Sequence, residues 1–465
     1  MSYGTSLSST GYGQFKYDVW DPTEPLGSPG SHLTLDNTTG TYIFCSALIL
    51  TPGGDLLING GDLLQNGTPT SRGIADVNVF NPLNNSLTRA GSMQRGRWYG
   101  TNTVLPNGEI YIQGGTDGED HPEIRGLDGQ YRLLNGIATD AVVPGSGGSR
   151  YFDNNYPRNF VGPNGKIWGF DPHYLYEVDP YGNGGTGSIR MFGAQWDIPN
   201  TRGGNSYRGW ASTSSAVLMR PGKILQLGGA QNNATLIDIN GATPVVTDLP
   251  PMPQQRQWLS ATVLPDGKVF SSGGSVKNLL SDPAAQDAGT IWYSTLMFDP
   301  DAQTWTTTAS LSVPRLYHSL TLLLPDATVL STGGGEPGPV NNLNAQVFSP
   351  GYLFDDNGNL APRPVIDPSN GGLPQVLAPS ATINMTSASA ADIARVTLVK
   401  TGAVTHSFDM EQRFIELPFN RVGQQINATL PANPYLTPPG YYMVFIINQQ
   451  GVPSKAKMIR INPVT

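Results

Sequence analysis

Three features of this 465-residue sequence predict an all-β protein, a seven-bladed β-propeller followed by an immunoglobulin-like β-sandwich. A Pro-Asx-Gly turn phrase recurs at intervals of tens of residues. Gly (56) and Pro (39) are abundant while only 13% of residues are charged, a composition that supplies turns rather than long helices. After about residue 362 the phrase stops, and segments such as Arg395–Val399 and Tyr442–Ile447 alternate or run apolar as sandwich strands do.

The turn prolines are Pro52, Pro106, Pro163, Pro221, Pro265 and Pro325, spaced 44 to 60 residues apart. Each follows an apolar segment and opens a turn, because Pro fixes φ and Gly accepts φ > 0. A second apolar strand comes next. It ends in a glycine pair at Gly60-Gly61, Gly114-Gly115, Gly228-Gly229, Gly273-Gly274 and Gly333-Gly334, where another backbone can approach closely. A further strand closes on its own turn, as in Val79-Phe80-Asn81-Pro82, Glu177-Val178-Asp179-Pro180, Met297-Phe298-Asp299-Pro300 and Val347-Phe348-Ser349-Pro350. Four short strands per unit of about 50 residues make this a kelch-type propeller. Six stations are complete. A seventh is half present in Ser2-Tyr3-Gly4 and Val19-Trp20-Asp21-Pro22, so the first blade is expected to lack its innermost strand. The propeller is expected over 1–355 and the sandwich over 362–465.

Composition excludes several function classes. The formal charge is -8 and Lys and Arg form no run, which argues against nucleic acid. No stretch approaches 18 apolar residues, so no membrane span is expected. Cys45 is the single cysteine, which rules out an internal disulfide and a cysteine-based zinc site. The opening residues carry no charged or apolar leader. The scarcity of Lys and the wealth of Asn, Gly and Thr nonetheless fit an extracellular or exported β-protein, its signal peptide outside this sequence.

In a propeller the first strand of each blade lies nearest the axis, so residues at one offset before each turn proline share one height. Seven positions before the six prolines stand Cys45, Tyr99, Tyr156, Ser214, Trp258 and His318. A purely structural strand would carry Val, Ile or Leu there. Singly, each has an ordinary reading: an inert buried thiol, a half-buried tyrosine, a hydrogen-bonded core histidine. Together they predict a polar, aromatic site able to hold a metal. Tyr317 and His318 are neighbours, and neighbours in a regular strand face opposite ways. Both reach one site only where a strand begins or bulges. Of five histidines (His32, His121, His173, His318, His406), His406 lies in the second domain, in a Gly/Thr-flanked segment that reads as a hairpin tip. Two imidazoles and one or two phenolates form a mixed N,O set that suits Cu(II) better than zinc or magnesium. A thioether from the Cys45 sulfur to the Tyr99 ring would make a tyrosyl radical easier to form and supply the second oxidising equivalent that one copper lacks.

Phe44-Cys45-Ser46, Arg97-Trp98-Tyr99, Arg315-Leu316-Tyr317-His318-Ser319 and Thr405-His406-Ser407 resemble the motifs of the copper radical oxidases, the family of galactose oxidase and glyoxal oxidase, and the likeness runs almost the whole chain. The resemblance implies one mononuclear copper with Tyr99, His318 and His406 as equatorial ligands. It implies a Cys45–Tyr99 thioether radical cofactor, with Tyr317 as axial ligand and base. It further implies a small-molecule substrate (an alcohol, aldehyde or α-hydroxycarbonyl), O2 as acceptor, H2O2 as product, and a monomer. Arg158, in Tyr156-Pro157-Arg158, falls where galactose oxidase binds substrate through an arginine; a structural role is the alternative. Trp258 and Tyr156 either wall the pocket or simply pack. Where galactose oxidase stacks a tryptophan over its tyrosine, this sequence reads Gly114-Gly115-Thr116-Asp117, with no aromatic. With Arg97-Trp98-Tyr99 and Thr405-His406-Ser407, that resembles the glyoxal oxidase branch. The competing reading is a non-catalytic propeller that binds glycans or protein through its loops.

Overall fold

Each Pro-Asx-Gly phrase closes a hairpin between the first two strands of a sheet. At the second complete station the Gly108 N–H donates to Leu105 O, and Gly108 takes φ +88°; at the last station Ala327 adopts φ +68° in the same place. The computed structural model describes residues 2–4, 7–8, 11–12, 15–25, 27–139, 155–170, 175–192, 213–277, 290–335, 342–368 and 374–464. His173 lies outside them.

Seven small antiparallel sheets follow one another along the chain as the blades of a seven-bladed kelch-type propeller. The first has three strands in the order Ser2–Gly4, Phe15–Trp20, His32–Asp36, with Ser2–Gly4 at its edge. The inner strands of the next six are Ala47–Leu50, Trp98–Val104, Arg158–Val161, Ser214–Arg220, Ser260–Val263 and Ser319–Leu323. Five of these six sheets have four strands and the last has three. The C-terminal region forms a five-stranded sheet centred on Gly440–Asn448 and a three-stranded sheet, Thr382–Thr386, Gln425–Thr429, Phe419–Val422. Among the described residues the longest α-helical segment, Gly182–Gly185, has four residues, and none is long and apolar enough to cross a membrane.

Contacts divide the chain into two compact units, one comprising 1–104, 109–159 and 178–190, the other 105–108, 160–177 and 191–465. The first unit packs Ile49, Leu57, Val77, Val104, Ile110 and Ile112 into one core. The second has two cores: one gathers Val217, Leu225, Val263, Phe270 and Phe298 with Val399, Phe414 and Phe445, the other fills the sandwich around Ile383, Leu398 and Ile446. Burial of this apolar surface is the main favourable contribution to folding.

The glycine pairs have a partner that composition hides. Arg97, Arg256 and Arg315 are fully buried. Their backbone carbonyls accept from Gly61, Gly229 and Gly274, the second glycines of pairs in the preceding blades. A Cβ on Gly60 would lie 2.1 Å from Arg97 O, so no other residue fits. Each guanidinium then reaches carbonyls at the glycine pair of its own blade: Arg97 to Gly114 O, Arg256 to Gly273 O, Arg315 to Gly333 O, at 2.7–3.0 Å. Arg97 also pairs with buried Glu123 at 2.8 Å.

Candidate metal centre

Five of the six residues at the predicted ring register, Cys45, Tyr99, Tyr156, Trp258 and His318, have left-handed backbones, with φ from +48° to +73°. Ser214 does not. A non-glycine residue in this region is uncommon, and such strain persists only where the surroundings over-determine it. Here it frees the N–H from the residue's own sheet. Tyr99 N donates to Cys45 O at 2.9 Å, Tyr156 N to Tyr99 O at 2.8 Å, and Trp258 N to Thr213 O at 2.8 Å. The same twist answers the Tyr317–His318 difficulty. His318 precedes the strand that begins at Ser319, its φ is +67°, and both rings come to one side with centroids 3.7 Å apart.

In the first unit the ring residues make a thiol half. Cys45 is buried, Tyr156 is buried, and the Tyr99 and Tyr156 rings stack at 4.9 Å. Burial pushes the Cys45 thiol well above its usual pKa, while the neighbouring side chains of Tyr99, Trp98 and Tyr156 pull the other way. The group is a neutral thiol lying against phenols. Trp98 stacks on Tyr99 with centroids 4.1 Å apart and planes 15° from parallel. The stretch 114–117 carries no aromatic, yet the Tyr99 ring is covered. The aromatic comes from the adjacent residue rather than from the glycine-pair strand. Regular strand alternation hid it, and the left-handed turn at Tyr99, skipped in the strand pairing between Trp98 and Gly100, permits it.

The second unit makes an imidazole half. His406 sits with Ser407 at the tip of a tight turn, φ +50° and +71°, closed by Thr405 and Phe408, each N–H donating to the other's carbonyl. Its Nε2 lies 2.7 Å from His318 Nε2. Its Nδ1 contacts Thr405 Oγ1 at 2.7 Å; with the proton on Nδ1, Nε2 keeps its lone pair. Burial, with the neighbouring His318, pushes the His406 pKa well below the usual histidine value, which keeps the ring neutral and able to ligate. Tyr317 is buried, 5.3 Å from the His406 ring and 4.4 Å edge-on from Trp258. Two facing imidazoles beside a buried phenol fit a tetragonal N,O metal.

Arg158 opens the inner strand of its blade and is 1% exposed. Of the other described histidines, His32 pairs with Asp18 and His121 bonds Ile137 O. Sequence reading also missed Lys400, Asp409, Glu411 and Arg413. All four are buried at the base of the His406 turn, where charge reads as a solvated face.

The chain is similar to several known proteins. A family model described as the galactose oxidase-like early set domain matches 363–461. Over 95% of its length the chain is 26% identical to a galactose oxidase of Gibberella zeae, and covers 63% of that protein. It is 28% identical to an aldehyde oxidase GLOX of Vitis pseudoreticulata, with 80% of this chain and 73% of that one aligned. A solved fungal alcohol oxidase of the AA5 family, in complex with copper, superposes with a TM-score of 0.80 at 25% identity, over 98% of this chain and 92% of that one. The chain thus spans less than two thirds of the length of the galactose oxidases it matches.

Proposed function

Since this chain belongs to the copper radical oxidase family, we propose that it oxidises small aldehydes, α-hydroxycarbonyls or primary alcohols with O2 and releases H2O2. In this reading the thiol half and the imidazole half serve one copper. Tyr99, His318, His406 and Tyr317 would hold it, and Cys45 would join Tyr99 through a thioether. The propeller spans 1–355, and the sandwich of 362–465 contributes His406. The observation that carries the proposal is the facing of two imidazole nitrogens at 2.7 Å beside Tyr317. The named activities of the relatives support it: galactose oxidase, aldehyde oxidase, and a copper-bound alcohol oxidase.

Bound copper would take one of the two electrons that alcohol oxidation releases. The protein's own groups do the rest. The Tyr317 oxygen receives the proton of the substrate hydroxyl. Tyr99, once oxidised, would take the hydrogen atom from the carbon, and Trp98 covers its face. Buried His406 and Tyr317 keep water from the reacting atoms. Trp258, Tyr156 and Arg158 border the substrate, the arginine from a buried position. The balance is RCH2OH + O2 to RCHO + H2O2, or hydrated aldehyde to acid. The exported, monomeric state belongs to the same reading and draws on the Lys-poor, Asn-, Gly- and Thr-rich composition.

Copper-loaded, oxidant-treated protein given methylglyoxal, glyoxal, glycolaldehyde and galactose in turn is expected to form peroxide with the small carbonyls before galactose. Tight glycan binding with no peroxide from any substrate would replace this proposal with the binding-module reading.

A further inference from the structure

The His406 turn is an expensive conformation, with two successive left-handed non-glycine residues, and something outside it must hold it. At the tip, Ser407 Oγ donates to Trp258 O at 3.2 Å, and Ser215 Oγ donates to Ser407 O at 2.9 Å. The base is built otherwise. Lys400 Nζ pairs with Glu411 Oε2, both side chains being 2% exposed or less. Asp409 Oδ1 accepts from Glu411 N and Gln412 N at 3.1 Å. Gln412 Oε1 accepts from Val263 N at 2.7 Å, and Lys400 N donates to Arg413 O at 3.1 Å. A Cβ on Gly402 would lie 2.1 Å from Asp409 Oδ1, so the carboxylate and the chain are fitted to each other.

Burying an ion pair is a poor way to gain stability. Apolar side chains of similar volume often do as well or better, while the pair offers one fixed geometry. We infer that Lys400 and Glu411 are positioning residues for His406: the pair sets the pitch of the loop from 401 to 410 so that Nε2 meets His318 Nε2, and position rather than stability is what it supplies. The inference rests on the copper reading of His406.

The test is the double variant Lys400→Met/Glu411→Leu, compared with wild type in three measurements. Thermal unfolding is expected to show the variant at least as stable. Reaction of metal-free protein with diethyl pyrocarbonate, mapped by peptide mass, is expected to leave His406 unmodified in wild type while exposed His32 reacts. In the variant His406 should react at least about tenfold faster. Cu(II) affinity by chelator competition is expected to fall about 10- to 100-fold, the usual cost of losing a residue that orients a ligand. A stable variant whose His406 stays protected and whose copper affinity is unchanged would overturn the inference. If wild type binds no copper, the copper reading fails and the His406 modification rate alone decides the clamp. Should the double variant not fold, Glu411→Asp keeps the charge pair but moves the carboxylate back by one methylene. Faster His406 modification at an unchanged unfolding temperature then supports the clamp, and an unchanged rate overturns it.

Discussion

Cys45, Tyr99 and Tyr156 come from three successive blades by repeating one backbone device, a left-handed residue at the start of an inner strand. His406 reaches His318 on a hairpin that the repeat never encoded. The thiol half therefore inherits its geometry from the periodic fold, where each blade fixes the next through glycine pairs and buried arginines. The imidazole half needs a purpose-built support, and the sequence supplies one in buried charge. Repetition places side chains at a common height, and a ligand from outside the repeat must be aimed individually.

That contrast can be broken most forcefully at the arginines. Arg97 is neutralised by buried Glu123, whereas Arg315 bonds only carbonyls. Arg97→Met leaves an unpaired buried carboxylate and is expected to cost about 3–5 kcal/mol in urea unfolding. Arg315→Met should cost less, about 1.5–3 kcal/mol for its charge-assisted bonds. Equal losses would mean that the two halves are not held differently. Next in size, His406→Ala should lower Cu(II) affinity by more than about 100-fold, beyond the cost of losing a merely supporting residue. Cys45→Ser should leave copper stoichiometry intact in metal analysis.

A third prediction separates the halves by pH. Burial first, and the nearby Glu411 charge against the relief of Lys400 and the Glu411 and Gln412 N–H groups, raises the Asp409 pKa to about 7. The carboxyl is less willing to ionise folded than unfolded, so its ionisation subtracts stability as pH rises from about 4 through about 7. Asp409→Asn keeps an acceptor for the two N–H groups and removes that penalty. The variant should match wild type near pH 4 and exceed it at pH 8 by on the order of 4 kcal/mol. The Cys45 thiol, pushed well above its usual range, stays neutral over the same interval and adds no such slope. Smallest is the stacking of Trp98: Trp98→Ala removes a ring contact worth about 0.5–1.5 kcal/mol beyond its buried area, and Trp98→Phe retains most of it. The absorbance of oxidised Tyr99 should decay several-fold faster in the alanine variant than in the phenylalanine one.

The blades and the ring register were legible because Pro-Asx-Gly turns phase every hairpin. Once the turn is fixed, seven residues upstream is one height in each blade. The His406 hairpin was legible from the Gly and Thr around it. What stayed hidden has a common physical origin. Backbone handedness at Tyr99 and His318 leaves no mark in residue type, so the stacking of Trp98 and the convergence of Tyr317 with His318 could not be read from alternation. Arg97, Arg256 and Arg315 precede their ring residues by two or three positions, a regularity visible in the sequence. An arginine reads as surface until the carbonyls that satisfy it are seen. Lys400 and Glu411, eleven residues apart, give no sign that they meet.

The central claim is that the sulfur of Cys45 and the ring of Tyr99 are placed to become one redox group. Intact-mass measurement of copper-loaded, oxidised protein, followed by alkylation and peptide mapping, addresses it directly. The account predicts a mass lower by two hydrogens, a Cys45 that no longer alkylates, and a cross-linked peptide pair containing residues 45 and 99. A full-mass protein whose Cys45 still alkylates after copper and oxidant would contradict it.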